Sequence, residues 1–191
     1  MDLKERLTDR LKKQLIPARL VLSSFCFLDE RLRENAIYQD SHYIPFFYYL
    51  GNELKPRKLA EFGCGIALYS SVCLLGSQGA YKVLLVERDK REYYSARLAK
   101  TNIKQLGLNP YICVSNQIPE IYNQDEWDLV LINDDYFLEH LDLIWKKISL
   151  NGHLCFMDLN NKSKEISDFC KVKNREAMVI DARYNMYIIR K

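Results

Sequence analysis

Leu59-Ala-Glu-Phe-Gly-Cys-Gly-Ile-Ala-Leu-Tyr69 is the stretch that decides the fold. An apolar strand ends in an acid, Glu61, and the chain then turns through Gly63 and Gly65, passes a small residue, Ala67, and enters a helical pattern. A strand that turns through glycines into a helix N-terminus lets a ligand approach bare backbone. A second apolar strand, Val83-Leu-Leu-Val86, ends in another acid, Glu87. An acid at that place can accept both hydroxyls of a ribose, so the two features together point to an adenosine-containing ligand.

The chain alternates strand and helix around this stretch. The expected strands are Lys58–Phe62, Tyr81–Val86, Tyr111–Val114, Asp128–Ile132 and His153–Met157. Helical patterns fall between them at Ile66–Leu75, Lys90–Leu106, Phe137–Ile148 and Lys162–Val172, with a weak helix after the third strand. Two apolar runs, Ala177–Ile180 and Met186–Ile189, read as a closing β-hairpin. Alternation of this kind argues for a parallel sheet with helices on both faces. The near-continuous apolar strands agree with a sheet buried on both sides. Ligands of such sheets bind at the carboxyl ends of the strands, where Glu61, Glu87, Asn116 and Asn133 all lie.

Upstream, Leu3, Leu7, Leu11 and Leu15 repeat at four-residue spacing, the mark of an amphipathic helix that stops before Pro17. Residues 35–50 are dense in aromatics; Ser41 is placed to cap a helix with Pro45 in its first turn. Phe46 to Tyr49 fit either the core or the floor of a substrate pocket.

Composition narrows the class. A chain of 191 residues fits one domain with a substantial core. No apolar run approaches the roughly 20 residues of a membrane span, and the charged N-terminus has no secretory apolar core. Six scattered cysteines without a CxxC pair read as reduced, buried small hydrophobes, which implies a cytoplasmic setting. Residues 1–20 carry six Lys or Arg against three Asp or Glu, the whole of the +3 net charge, and the rest balances at 22 and 22. The body therefore lacks the basic face of a nucleic-acid enzyme. The basic first helix is either a solvated face or a contact for an acidic partner.

A dinucleotide fingerprint would need glycine at position 68, which is Leu68. The spacing present, E-x-G-x-G-x-A, resembles the first motif of the class I S-adenosylmethionine-dependent methyltransferases, D/E-x-G-x-G-x-G, with Ala67 in place of the last glycine. The acid after the second strand, the run Asp128-Leu-Val-Leu-Ile-Asn133, the turn Leu150-Asn-Gly-His-Leu154 and the reversed last strand follow in the same order. The likeness spans roughly residues 35–191 and is to the small bacterial or phage type. It implies a Rossmann-like α/β fold: a seven-stranded, mostly parallel sheet with a terminal antiparallel hairpin, helices on both faces and an N-terminal helical cap. Residues 1–50 would form that cap and contact substrate, and 51–191 would bind S-adenosylmethionine. Gly63, Cys64 and Gly65 would face the methionyl part, with Glu61 near its ammonium group. Glu87 would hold the ribose, Arg88 would lie along the adenine, and Asn116 would meet the adenine amine, an Asn carbonyl keeping the acceptor role of the usual Asp. Asn133 would complete the site at the end of the fourth strand.

The acceptor side is read from Ile132-Asn-Asp-Asp-Tyr136. Methyltransferases of nucleic-acid bases carry D/N-P-P-F/Y here. This chain keeps the outer positions but has Asp134 and Asp135 for both prolines, and two carboxylates repel a phosphate backbone. The stretch is also similar to the small O-methyltransferases related to the catechol enzymes, whose fourth strand ends in I-D-x-D with a later Asp-Asn. Asn133 and Leu159 replace two of the presumed metal ligands, a departure that argues against a metal requirement, while Asp135 and Asp158 remain as oxygen ligands that could still hold a weak site. Both Asp residues are equally readable as solvated loop. His42, Tyr43 and Asp135 are the candidates for proton transfer in catalysis. His140 and His153 fall inside a helix and at a strand start. The expected activity is transfer of a methyl group to an O or N atom of a small molecule or exposed protein side chain, with no nucleic-acid or membrane partner. The alternative is a non-catalytic interaction protein of the same fold that binds the cofactor, its demethylated product or a protein.

Overall fold

Strand β1 (Lys58–Phe62) lies inside a sheet with a neighbour on each side, and its side chains alternate between two separate cores. A computed structural model of the chain describes residues 2–13, 43–88, 93–114, 120–157, 162–179 and 186–191. Leu59 enters one core and Ala60 and Phe62 enter the other, as the two-residue period of a strand requires. The neighbours β2 (Lys82–Glu87) and β4 (Trp127–Ile132) behave alike: Val83, Leu85, Leu129 and Leu131 face the first core, and Leu84, Val86, Val130 and Ile132 the second. This is why these strands read as unbroken apolar runs. With β3 (Tyr111–Val114), β5 (Ile148–Phe156), β6 (Ala177–Val179) and β7 (Tyr187–Arg190), the sheet order is β3-β2-β1-β4-β5-β7-β6. β7 runs antiparallel to both β5 and β6, and the other pairings are parallel.

The first core is covered by α1 (Leu3–Lys13), α2 (Tyr43–Leu54), α3 (Leu68–Ser77) and α4 (Tyr93–Gln105). The second is covered by α5 (Glu120–Gln124), a 3-10 turn at Asp135–His140, α6 (Leu141–Lys146) and α7 (Ser163–Lys173). Phe46, Phe47, Tyr49 and Leu50 are buried in the first core, so the aromatic run packs the sheet. α2 and α3 touch backbone to backbone: a Cβ added at Gly51 would sit 1.9 Å from the Cys73 carbonyl oxygen, and one at Gly76 would sit 2.0 Å from that of Tyr48.

In α1, Leu3 and Leu7 are buried, and Asp2 and Glu5 exchange reciprocal backbone–side-chain hydrogen bonds of 2.8 and 3.1 Å. Arg6 and Arg10 both reach Glu53 of α2 at 2.7 Å, so part of the basic face is paired within the chain. Leu15, the expected stop at Pro17 and the Ser41 cap lie outside the described residues.

Two expected bounds are corrected. The pattern at Phe137–Ile148 is a 3-10 turn followed by a short α-helix, because the Asp134 carboxylate accepts the Tyr136 N–H at 2.9 Å and starts the turn early. The fifth strand begins at Ile148 rather than His153. Trp127 N–H donates to the Lys147 carbonyl at 2.8 Å and Ile148 pairs with Trp127, which draws the chain back into the sheet after one and a half turns of α6. A register shift between Trp127 and Leu129 and the positive φ of 71° at Asn151 absorb the extra residues.

Candidate active site

The strand order changes direction beside β1, between β2 and β4, and the glycine loop lies at this switch point. Gly63 N–H donates to the Val86 carbonyl at 2.8 Å, and Asn133 N–H donates to the Phe62 carbonyl at 2.9 Å, so the loop leaves the sheet between its two neighbours. Gly63 has φ +78°, and a Cβ there would meet Asp134 Cβ at 2.6 Å and Asp134 N at 3.0 Å. Its smallness serves the chain that follows β4. Gly65, with φ +50°, is different: among the described residues a Cβ there would meet nothing within 4 Å, which leaves room for a ligand beside its backbone. Ala67 keeps the left-handed conformation of the position, φ 56°, and is fully buried. Asn102 of α4, also fully buried, donates from Nδ2 to the Ile66 carbonyl at 2.9 Å and ties the loop down.

Two carboxylates are buried against this loop. Glu87 accepts the Gly65 N–H and the Cys64 thiol, the latter at 3.0 Å. Burial first and the neighbouring Glu87 second push the Cys64 thiol well up, which keeps it a neutral donor. Glu61 has no exposed surface; its Oε2 accepts from the Ser70 hydroxyl and, at 3.3 Å, from the Ser70 N–H in the first turn of α3. Oε1 has no partner among the described residues. Burial, only partly offset by Ser70, raises the Glu61 carboxyl from about 4.5 to about 8. Between those values the folded chain holds a proton that the unfolded chain has lost. Stability of the ligand-free protein therefore falls as pH rises through this window, by up to ~1.4 kcal/mol per unit. Glu61→Gln should remove that slope, so that its urea midpoint overtakes the wild type's as pH is raised; parallel midpoint curves would refute a buried neutral Glu61.

Arg88 reaches across the end of β1, its guanidinium 5.1 Å from the centre of the Tyr136 ring. Both line a cavity of about 610 Å³ together with Asp135, Leu138, Glu139 and Leu141 on one wall and Lys162, just before α7, with Glu165 and Phe169 of α7 on the other. Asp135 is exposed there. Tyr43 lies elsewhere: it is half-buried at the start of α2 and packs edge-on to Tyr69 of α3, ring centres 6.1 Å apart, on the first-core face. Tyr136, beside Asp135, packs on the second-core face. His42, Asn116 and Asp158 lie outside the described residues. Among the described residues no cluster of three His, Cys, Asp or Glu side chains could hold a metal. His153 is mostly buried beside Arg190, and burial lowers it to about 4, which keeps it neutral.

The structure thus gathers Glu61, Gly63, Cys64, Gly65 and Glu87 in one patch and sets Arg88 and Asp135 on a neighbouring cavity. Sequence reasoning missed Ser70 and Asn102, and noted Tyr136 only as an outer position of the segment after the fourth strand. Asn102 carried a signal, a polar side chain on the apolar stripe of α4 next to Ala99 and Ile103. Ser70 carried none, since a serine in a first helical turn is ordinary.

No family model matches the chain, and no curated protein matches it in sequence. Solved structures do match in fold. The O-methyltransferase from Bacillus cereus, solved in complex with SAH, superposes with a TM-score of 0.65 at 15% identity over 96% of each chain. The SAH-bound methyltransferase from Podospora anserina gives 0.66 at 15% identity, covering 97% of this chain and 94% of its own. The ribosomal protein L11 methylase from Lactobacillus delbrueckii subsp. bulgaricus gives 0.59 at 18% identity over 78% of this chain and 79% of its own. The chain is similar to these proteins, and its fold is the α/β Rossmann-like methyltransferase fold.

Proposed function

We propose that this chain is an S-adenosylmethionine-dependent methyltransferase acting on an O or N atom of a small molecule or an exposed protein side chain. The observation that carries the reading is a fully buried Glu61 Oε1 that has no partner among the described residues, beside a glycine loop where no described atom lies within 4 Å of the Gly65 Cβ position. A buried carboxyl oxygen without a donor suits a cationic group, and the bare backbone suits close approach of a chain bearing it. Glu61, Gly63, Cys64 and Gly65 would take the methionyl end, Glu87 the ribose hydroxyls, and Arg88, Asn116 and Asn133 the remaining contacts. Bound S-adenosylmethionine supplies a methyl group already activated on a sulfonium. The task of the chain is then alignment, water exclusion and removal of the acceptor's proton.

The cavity beside Arg88 is the acceptor pocket in this reading. Asp135 at its wall is the candidate to accept the proton as the new bond to carbon forms; His42 stays a candidate from the sequence, whereas Tyr43, packed on Tyr69 at the other face of the sheet, does not line this cavity. The balanced charge of residues 21–191 and the adjacent Asp134 and Asp135 favour a small molecule or protein over nucleic acid. SAH at about 100 times its dissociation constant should add roughly 2.7 kcal/mol to stability. For a chain of this size that is a rise in Tm of roughly 5–10 °C. No rise with SAH or S-adenosylmethionine would leave the fold serving a protein interaction instead.

A further inference from the structure

Among the described residues the surroundings of Glu61 contain no counter-charge. From α3 it meets Ser70 and, more distantly, Cys73; from the loop, Cys64; from β2, the charged group that acts on it is another acid, Glu87. Its register neighbours on β2 and β4 are Leu85 and Leu131. A carboxylate enclosed by apolar side chains, two donors from one serine and a like charge is costly, and the neutral acid is much less so. Ser70 takes Oε2 with both its donors and leaves Oε1 without a partner among the described residues.

We propose that Glu61 meets the cofactor as a neutral carboxylic acid and expels its proton when the ligand's ammonium group settles against Oε1, with Ser70 as the residue that positions it. The inference rests on the reading of the ligand as S-adenosylmethionine. The step is a simple dissociation: the carboxyl O–H bond breaks, the proton passes to solvent, and the carboxylate pairs with an ammonium that keeps all its protons. Binding is thereby coupled to pH through the donor site, independently of any base acting on the acceptor. It also makes the amino-acid end of the cofactor, rather than its nucleoside, the part whose affinity depends on pH.

Titration calorimetry in phosphate and in Tris, whose ionisation heats differ, tests this with the intact chain. Near pH 7 the binding of SAH should release close to one proton, since the carboxyl sits at about 8. Affinity for SAH should rise about tenfold per pH unit between about pH 6 and 7.5. 5′-Methylthioadenosine, which lacks the ammonium-bearing end, should bind with no proton release. Glu61→Gln should bind SAH more weakly, with equal heats in the two buffers and a flat pH profile. Ser70→Ala should weaken SAH roughly tenfold and leave 5′-methylthioadenosine unchanged, a split that a general loosening of the loop would not produce. Binding of SAH to the wild-type chain with equal heats in both buffers would overturn the proposal while leaving the cofactor reading intact. Absence of binding by both ligands would overturn the cofactor reading and this proposal together.

Discussion

Gly65→Arg should lower affinity for SAH more than 100-fold while leaving a folded protein. The backbone at this position has φ +50°, so any side chain costs about 1–2 kcal/mol of left-handed strain. That is a small part of the stability of an ordinary domain. The new side chain meets no atom of the described residues near its root, because none of them lies within 4 Å of the Cβ position. It projects instead into the space a ligand would use. The substitution also leaves the Gly65 N–H in place, so the Glu87 contact can persist. Gly63→Ala gives the contrast. There the added methyl drives into Asp134 Cβ and backbone at 2.6 and 3.0 Å, so the loss should appear in urea unfolding before it appears in binding. An SAH affinity for Gly65→Arg within a factor of ten of the wild type would remove the glycine loop from the ligand site.

Gly51→Ala should be the most destabilising single methyl in the described chain, at about 3–5 kcal/mol. The Cβ would lie 1.9 Å from the Cys73 carbonyl oxygen and 2.7 Å from its carbon. Both are backbone atoms inside α3, so no rotamer change can make room. α2 and α3 must separate by more than an ångström, and Phe46, Phe47, Leu50 and Val72, all fully buried between them and the sheet, lose their close packing. α3 also carries Ser70, so the displacement should reach Glu61 and weaken SAH binding in whatever fraction remains folded. For a chain of this size the expected fall in Tm is roughly 10 °C or more. Gly79→Ala is the control: its Cβ would meet only the Ser77 carbonyl oxygen at 3.7 Å, and a neutral to slightly stabilising outcome is expected. Equal Tm values for the Gly51 and Gly79 variants would show that the two helices are not in backbone contact.

Much of the architecture was legible because it follows from local pattern. The unbroken apolar strands announce burial on both faces, and glycines at 63 and 65 after an acid announce the turn. The bounds of α6 and β5 were not legible, because they depend on Asp134 capping the 3-10 turn and on Trp127 pairing with Ile148, one a choice among local hydrogen bonds and the other a long-range register. Gly51 and Gly76 carry no local signal of their role. Only the approach of two helices shows why they are small.

Residue types and spacing alone determined that two acids stand at the ends of neighbouring strands beside a glycine turn, since strand period and glycine chemistry are properties of the chain itself. What each acid does was decided by tertiary structure. Glu61 faces the first core, where α3 brings Ser70 to one of its oxygens and nothing described to the other; Glu87 turns toward the Gly65 N–H and the Cys64 thiol. Proton affinity and partners depend on which groups arrive from distant parts of the chain and on how completely water is excluded, and neither is written in the eleven residues from Leu59 to Tyr69.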